Sequence, residues 1–280
     1  MDARSVGIVG VGLIGGSIAL GALRAGYRVC LHDQYAASKL HGSRFRAARV
    51  VDDLGDLAAQ SRVIFLATPI SAISLVIARL GPFLGSEHIV SDVASVKVPV
   101  AKVIQSAIGN RSDYIPVHPM AGSELSGVAA ARPDLFDGAV TLLCSEFARD
   151  VANIGLVTDF WEELGTKVFR TNSEHHDEMV AAMSHLPHLI AALLVAHVAD
   201  GGNQALDLCG NGFRDLTRIA SGAPGLWTDI LLSNSDPLAR HLAAFRDLID
   251  RTLPLLLRRD GKNLQALLDA AKQNRDRISR

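Results

Sequence analysis

Two hydrophobic patterns divide the chain. Up to residue 171, short apolar runs bounded by glycine, proline or polar residues predict strands, and segments with apolar residues three and four positions apart predict helices between them. The predicted strands span residues 6–9, a second run ending at Asp33, and 49–51, 62–68, 88–93, 114–118, 139–144 and 165–171. The predicted helices span 13–25, 71–80 and 98–108. This alternation is typical of an α/β fold with a doubly wound, mostly parallel sheet.

Beyond residue 171 the apolar positions follow helical spacing throughout. Helices are predicted at 173–200, 203–208, 227–233, 237–258 and 264–277. We therefore expect two domains, residues 1–171 and an all-helical domain of residues 172–280. The stretches 186–198 and 253–257 are more apolar than one small domain needs. This excess favours a homodimer that forms through the helical domain.

Charge and composition narrow the class of partner. The 280 residues include 28 basic and 29 acidic residues, for a net charge of -1, and 49% of them are hydrophobic. This balance gives no net positive charge that would attract nucleic acids or anionic membranes. A small-molecule substrate is therefore favoured, and nucleic-acid and membrane partners are not expected.

The cysteines and the N-terminal segment indicate a cellular location. Cys30, Cys144 and Cys209 lie far apart and form neither a disulfide framework nor a CxxC pair, which favours a reducing compartment. The apolar segment 6–23 carries a glycine motif and lacks a cleavage-like site. No uncharged run elsewhere is expected to span a bilayer. We therefore expect a protein dissolved in the cytoplasm.

A glycine motif follows the first predicted strand. Gly10, Gly12 and Gly15 are spaced as GxGxxG between a strand and a helix. In dinucleotide-binding sheets the first glycine permits a tight turn, the second lets the backbone approach a pyrophosphate, and the third allows the helix to pack close to the strand. The motif therefore predicts a dinucleotide site, and the alternative is a glycine-rich turn without a ligand.

The residues around this motif favour NAD as the cofactor. At the start of the predicted helix, Leu13 and Ile14 are placed to offer free backbone N–H groups to the phosphates. Asp33 ends the next strand, where a carboxylate accepts hydrogen bonds from the ribose and repels the 2′-phosphate of NADP. A competing signal is the basic cluster of residues 44–49, but it lies well past the strand end and is more typical of a solvated face.

Three later strand ends fall at the edge of the sheet where ligands bind. Thr68 and Pro69 are compatible with a turn beside the cofactor or with simple chain termination. In SDVASVK, residues 91–97, Asp92, Ser95 and Lys97 are all able to cap the helix that follows. Residue type alone leaves Ser95 equally compatible with a cap and with a place in the site.

A histidine marks the third of these strand ends. His118 follows an apolar run and precedes a proline and a turn of small residues, so it is expected to be held over the ligand-binding edge. Histidine titrates near neutral pH and can take a proton from a hydroxyl as a hydride leaves. Position favours a catalytic role over a structural one.

The helical half contributes two further groups of polar residues. His185 and His188 share one helical face, and Pro187 places them near a helix start or a kink. No cysteine or carboxylate cluster nearby completes a zinc site, so no metal is expected. A second group contains the arginines of segment 211–218, Asp215 and Trp227. Arginine suits bidentate binding of a carboxylate, and the alternative is a surface salt-bridge cluster.

Taken together, these segments resemble the TyrA family of prephenate and arogenate dehydrogenases. The resemblance rests on GVGLIGGS at 10–17, TPI at 68–70, SDVASVK at 91–97, HPMAGSE at 118–124, SHLPH at 184–188 and GFRDLTRIA at 212–220, followed by Trp227. The family implies an N-terminal Rossmann-like domain and a C-terminal helical dimerisation domain. It also implies an NAD-dependent oxidative decarboxylation of a cyclohexadienol in tyrosine biosynthesis.

The resemblance also implies roles for individual residues. His118 matches the catalytic histidine that bonds the C4 hydroxyl, and Ser95 matches a serine that positions this hydroxyl and the nicotinamide. Arg218 matches an arginine that binds a substrate carboxylate. Glu124 matches a residue that gates the site through contact with that arginine, and Asp215 matches a member of the same network. The other implied positions lie near the substrate and are His185, His188 and Trp227.

Two alternatives to this activity remain open from the residues alone. One is another NAD(P)-dependent dehydrogenase of the β-hydroxyacid or imine-reducing type, which would place a catalytic lysine or acid in the helical region. The other is a nucleotide-binding sensor without turnover. The choice between prephenate and arogenate is likewise open.

Overall fold

The computed structural model describes residues 2–34, 44–123 and 125–278. By internal contacts the chain divides into two compact units, Met1–Asn234 and Ser235–Arg280. The first unit contains both sheets and every predicted site residue that the structure describes.

Six parallel strands form the first sheet. They are β1 (Ser5–Val9), β2 (Arg28–His32), β3 (Arg49–Val50), β4 (Val63–Leu66), β5 (Ile89–Asp92) and β6 (Asp113–Tyr114), in the spatial order β3-β2-β1-β4-β5-β6. The connecting helices are α1 (Leu13–Arg24), α2 (Leu54–Ala58), α3 (Ile70–Leu80), which continues into a 3₁₀ turn at Gly81–Phe83, and α4 (Val98–Ile108). From β1 the chain builds the sheet outward in one direction through β2 and β3, and then in the opposite direction through β4, β5 and β6. Doubly wound sheets bind their ligands at this point of reversal, between β1 and β4. The predicted Rossmann-like, doubly wound fold is confirmed.

Helices cover both faces of this sheet because its central strands are apolar on both sides. Along β4, Phe65 packs in one core cluster with Ile18 of α1. Its neighbour Ile64 packs in the other cluster with Ile73 and Ile104, from α3 and α4. Successive side chains of a strand point to opposite faces, so an uninterrupted apolar run is what a doubly covered strand requires.

Residues 114–118 do not form the single strand that the sequence predicts. Its first part belongs to β6, and its second part begins a separate sheet of β7 (Val117–Pro119), β8 (Val140–Cys144) and β9 (Lys167–Thr171). Pro116 lies at the division, because proline has no N–H to donate to the first ladder, whereas its carbonyl accepts from Cys144 of β8. Strand β7 runs antiparallel to β8, and β9 runs parallel to it, so 139–144 is outside the parallel sheet.

The second sheet is connected through elements that the hydrophobic pattern did not predict. A 3₁₀ turn at Val128–Ala130 precedes β8, and α5 (Val151–Glu163) joins β8 to β9. Asp150 caps α5 by accepting the Ala152 N–H. Helix α5 buries Phe160 and Trp161 against the first sheet, which anchors the second sheet beside it.

Within the described residues, no strand follows Thr171. Helix α6 (Ser173–Val180), a π-helical turn (Ala181–His185) and α7 (Leu186–Asp200) follow one another without a break. Then come α8 (Asn203–Asp207), α9 (Asn211–Thr217), which was not predicted, a 3₁₀ turn at Arg218–Ser221, and α10 (Pro224–Ser233). The prediction that Pro187 lies near a helix start or a kink is confirmed. It lies in the first turn of α7, directly after the π turn.

The span from α6 to α7 is the one helical segment, among the described residues, that is long and apolar enough to cross a membrane by length and composition. This corrects the expectation that no such run exists. Its first half carries buried polar residues, among them His176, Asp177 and His185. Its second half exposes apolar side chains such as Leu193, which is 51% exposed.

The second unit is a pair of helices, α11 (Ser235–Leu257) and α12 (Gly261–Ile278). Asp260 caps α12 by accepting the N–H of Asn263. Between the two helices runs an apolar groove of about 450 Å³, lined by Phe245, Leu248, Ile249, Thr252, Leu253, Leu256, Leu267 and Ala271. This unit therefore exposes a continuous apolar surface.

Candidate active site

The glycine loop leaves the start of α1 open to a ligand. Gly10 has a φ of 93°, a left-handed conformation that favours glycine. A Cβ atom on Gly15 would lie 1.9 Å from the Gly10 carbonyl oxygen, so only glycine fits there. At Gly12, the N-cap of α1, no side chain caps the helix, and a Cβ would meet no described atom within 4 Å. The first N–H groups of α1, at Leu13 and Ile14, can therefore receive a phosphate.

Asp33 and Thr68 lie beside this loop. The Oδ2 atom of Asp33 accepts the Val11 N–H at 2.7 Å, which holds the carboxylate against the loop. Thr68 lies close to Gly10, and its buried hydroxyl has no hydrogen-bond partner within the described ranges. Pro69 begins α3 as its N-cap. A buried hydroxyl without a partner is costly unless a ligand bonds it, which fits a dinucleotide lying between β1 and β4.

Ser95 lies half-buried in the loop between β5 and α4. The possibility that it caps α4 is wrong, because no side chain of this loop caps that helix. The cap comes from α6 instead. The two carboxylate oxygens of Asp177 accept the N–H groups of Lys97, at 2.7 Å, and Val98, at 2.9 Å. Ser95 therefore remains available for a role in the site.

His118 lies on β7 as the first member of a buried chain of polar side chains. Its Nδ1 atom is 2.9 Å from Nε2 of His176, and Nδ1 of His176 is 2.8 Å from Oδ1 of Asp177. All three residues are at most 8% exposed. Because Nδ1 of His118 faces His176, Nε2 is the ring nitrogen that can face a substrate.

The surroundings of His118 keep its ring neutral. Burial lowers the pKa of His118 well below its ordinary value of 6.5, and His176, Lys97 and His185 lower it further. Burial also lowers the pKa of His176, against the opposing effect of its hydrogen bond to Asp177. A neutral histidine can accept a proton at pH 7, so this geometry suits a general base.

A buried ion pair fixes the strand that carries His118. The Nζ atom of Lys97 lies 2.5 Å from Oδ1 of Asp92 and donates to the carbonyl oxygen of Val117 at 2.6 Å. Tyr114 donates its hydroxyl proton to Oδ2 of Asp92 at 2.7 Å, and burial, with the Asp92 charge, raises the pKa of Tyr114. This network joins the ends of β5 and β6 to the start of β7, and it thereby sets the position of His118.

His185 is fully buried in the π turn and is oriented by Asn234. The side-chain Nδ2 of Asn234 donates to the backbone carbonyl of Asp177 at 2.8 Å, so this amide nitrogen also faces Nδ1 of His185, 3.1 Å away. Nδ1 of His185 is therefore an acceptor, and Nε2 carries the proton of the neutral ring. Burial lowers the pKa of His185 to about 4. Its Nε2 is buried and has no partner in the described part of the chain, so it can donate to a ligand.

His188 and Trp227 form a stacked pair next to His185. Their ring centroids are 3.5 Å apart with an interplanar angle of 14°. Burial lowers the pKa of His188, so this ring is also held neutral. A Cβ atom on Gly222 would lie 3.3 Å from His188 and 2.4 Å from Trp227, so the turn beginning at Arg218 ends against this pair.

The remaining predicted residues are less enclosed. Arg218 and Asp215 are exposed, on the 3₁₀ turn and on α9. Glu124 lies outside the described residues. The structure thus brings His118 and His185 close to the stacked pair of His188 and Trp227. Arg218 lies on the segment that packs against α7.

Sequence reasoning missed His176, Asp177 and Asn234. A signal exists for the first two, because His175, His176 and Asp177 are consecutive near the start of a predicted helix. Of the three, His176 and Asp177 are buried and His175 is exposed. No local signal identifies Asn234, since it reaches the site only through the packing of α10.

Comparison with known families matches both halves of the chain. The family model described as prephenate dehydrogenase, nucleotide-binding domain, matches residues 19–170. The model described as prephenate dehydrogenase, dimerization domain, matches residues 172–270.

Individual relatives cover nearly the whole chain. The cyclohexadienyl dehydrogenase of Zymomonas mobilis is 32% identical over 271 residues, which are 93% of this chain and 91% of that protein. The crystal structure of prephenate dehydrogenase from A. aeolicus, in complex with hydroxyphenyl propionate and NAD⁺, superposes with a TM-score of 0.90 at 27% identity and covers 99% of both chains. That of Synechocystis arogenate dehydrogenase gives 0.84 at 30% identity and covers 98% of this chain and 99% of that one.

Proposed function

The chain belongs to the prephenate dehydrogenase family, and on this premise we propose how its residues carry out the reaction. The enzyme is an NAD-dependent oxidoreductase that converts prephenate to 4-hydroxyphenylpyruvate, arogenate to tyrosine, or both, with loss of CO₂. The observation that carries the assignment of roles is the buried, neutral His118 beside the open edge of the sheet.

His118 is the general base of this reaction. Its Nε2 accepts the proton of the C4 hydroxyl while the hydrogen on C4 leaves as hydride, and bound NAD supplies the hydride acceptor. The resulting ring ketone loses its C1 carboxylate as CO₂, and the electron pair of the broken bond makes the ring aromatic. His118 then returns its proton to the phenolate oxygen. Ser95 orients the same hydroxyl and the nicotinamide.

The helical residues bind the rest of the substrate. Arg218 pairs with a substrate carboxylate, since its guanidinium can donate two parallel hydrogen bonds. His185 donates from Nε2, the buried nitrogen without a protein partner among the described residues. His188 and Trp227 present their stacked rings to the pocket. Glu124 and Asp215 complete the charged network around Arg218.

The cofactor-binding residues are those of the glycine loop and the adjoining strand ends. Gly10, Gly12 and Gly15 shape the loop, and the N–H groups of Leu13 and Ile14 receive the pyrophosphate. Asp33 bonds the ribose, and Thr68, Pro69 and Ser95 lie along the nicotinamide half. The described geometry fits this assignment, since the loop is uncapped and the Thr68 hydroxyl has no partner within the described residues.

The division into residues 1–171 and 172–280 is part of the proposal, as are a homodimer and a cytoplasmic location. The match of a dimerization-domain model to residues 172–270 supports the dimer. So do the exposed apolar side chains of α7 and the groove between α11 and α12. Three free cysteines, two of them buried, support a reducing compartment.

Replacing Asp33 with serine should relax the preference for NAD. We expect the ratio of kcat/KM for NAD to that for NADP to fall by about 10-fold or more, because like charges near a surface repel by about 1–4 kcal/mol at close range. Asp52→Ser is the matched control, since this exposed carboxylate follows the neighbouring strand β3. An Asp33 variant with the wild-type ratio would mean that another residue distinguishes NAD from NADP.

The proposed reaction is tested by measuring NADH formation with prephenate and arogenate in separate assays, each with NAD and with NADP. Turnover of either substrate, with 4-hydroxyphenylpyruvate or tyrosine identified as the product, is the expected result. The ratio of the two rates then gives the preferred substrate. Binding of NAD without turnover of either substrate would contradict the proposal and favour a non-catalytic sensor.

A further inference from the structure

We propose that His176 and Asp177 are positioning residues that set the tautomer of His118, so that its Nε2 presents a lone pair to the substrate hydroxyl. This inference rests on the proposed role of His118 as the base. It adds two residues to the reaction that neither the glycine motif nor the other short motifs of the sequence contain.

The chain of hydrogen bonds begins at the carboxylate of Asp177. Asp177 accepts the backbone N–H groups of Lys97 and Val98 at the start of α4, and it lies 2.8 Å from Nδ1 of His176. An ionised carboxylate only accepts hydrogen bonds. Nδ1 of His176 therefore carries a proton, and the N-terminus of α4 stabilises the negative charge that receives it.

The His176 ring is the next group in this chain of hydrogen bonds. His176 is fully buried, and burial lowers its pKa, so the ring is neutral. A neutral imidazole with its proton on Nδ1 has a lone pair on Nε2. That lone pair lies 2.9 Å from Nδ1 of His118. Nδ1 of His118 must therefore be the donor.

The resulting tautomer of His118 makes Nε2 the basic nitrogen of its ring. With its proton on Nδ1, a neutral His118 has its lone pair on Nε2, the nitrogen available to the substrate. In the opposite tautomer Nε2 would carry a proton, and it would be unable to accept one. When His118 takes the substrate proton it becomes a cation, and the same chain of hydrogen bonds then stabilises that charge.

The tautomer of His118 can be measured directly in the wild-type enzyme. In protein labelled with ¹⁵N-histidine, long-range ¹H–¹⁵N correlation spectra distinguish a protonated ring nitrogen from one with a lone pair, and Nδ1 from Nε2. The signals of His118 are those absent from His118→Asn. We expect a protonated Nδ1 above the pKa of His118. A protonated Nε2 would overturn the proposal without any need for the positioning variants to fold.

Substitution of His176 tests the consequence for catalysis. His176→Leu removes the acceptor, and we expect kcat to fall roughly 10- to 100-fold, the usual effect of one hydrogen bond to a charged group. The KM for NAD should change little, and the His118 signals should move toward the protonated Nε2 form. His176→Gln, whose side-chain oxygen can accept from His118, should recover part of kcat. His175→Leu is the control, because the adjacent ring is exposed.

The outcomes separate this inference from the proposed function. If His118→Asn retains wild-type activity, His118 is not the base and the proposed roles fail. If His118→Asn is impaired but His176→Leu keeps the wild-type kcat and tautomer, only the positioning role is refuted. Equal loss of activity in the leucine and glutamine variants, with an unchanged His118 tautomer, would also refute it.

Discussion

Replacing His118 with asparagine is expected to lower kcat by about 10²- to 10⁴-fold, the usual contribution of a positioned acid–base group. Asparagine retains a polar side chain but has no nitrogen that titrates near neutral pH. The affinity for NAD should be nearly unchanged, because the glycine loop and Asp33 belong to other strand ends. Steady-state rates with saturating prephenate and NAD, together with calorimetric titration of NAD, measure the two quantities separately.

A second buried histidine provides the control for this substitution. His88 is 2% exposed, and its ring is hydrogen-bonded to the backbone of Ala58 and Gly85. It directly precedes β5, at the edge of the sheet opposite the site. His88→Asn should therefore lower stability while the folded enzyme keeps its kcat. If His118→Asn turned over at near the wild-type rate, the assignment of the base would be wrong.

Replacing Lys97 with methionine is expected to destabilise the protein by about 3–5 kcal/mol, the usual cost of breaking a buried pair from one side. The side chains of Lys97 and Asp92 are fully buried and 2.5 Å apart. Without the ammonium group, Asp92 is left as a buried charge bonded only to Tyr114 and the Ala94 N–H among the described contacts. Urea unfolding followed by circular dichroism measures the loss.

Two further variants separate this cost from a general effect of substitution in α4. Lys102 is exposed on α4, the helix that begins directly after Lys97, so Lys102→Met should change stability by less than about 0.5 kcal/mol. In the double variant Lys97→Met and Asp92→Asn, the buried charge is absent and part of the lost stability should return. A Lys97→Met protein as stable as the Lys102→Met control would show that the pair is unimportant to the fold.

Local patterns account for the parts of the structure that the sequence predicts well. The apolar runs of β1 and β4 are long enough, and apolar enough on both faces, to identify a covered parallel sheet. The GxGxxG spacing specifies its own conformation, since Gly10 and Gly15 occupy positions that a Cβ would not fit. Such features depend on neighbours within a few residues, which one sequence contains.

The features that were missed depend on contacts between distant segments. The stretch Ile115 to Val117 is uniformly apolar, and only the pairing partners on either side of Pro116 divide the run between two sheets. His118 and His176 are 58 residues apart and meet because α6 packs against β8, the strand paired with β7. Neither periodicity nor motif spacing contains this information, so the positioning residues emerge only from the folded chain.

If a buried, neutral His118 accepts the substrate proton, the pH dependence of kcat/KM will follow the protonation of this ring. Burial and the facing groups His176, Lys97 and His185 lower the pKa of His118 below 6.5, and activity requires the unprotonated ring.

We expect kcat/KM with prephenate and NAD to be still at its plateau at pH 6.5 and to decline only at lower pH, as His118 is protonated. The residual activity of His118→Asn should lack this decline. A decline that begins at or above the ordinary histidine pKa, or one that persists in His118→Asn, would contradict the claim.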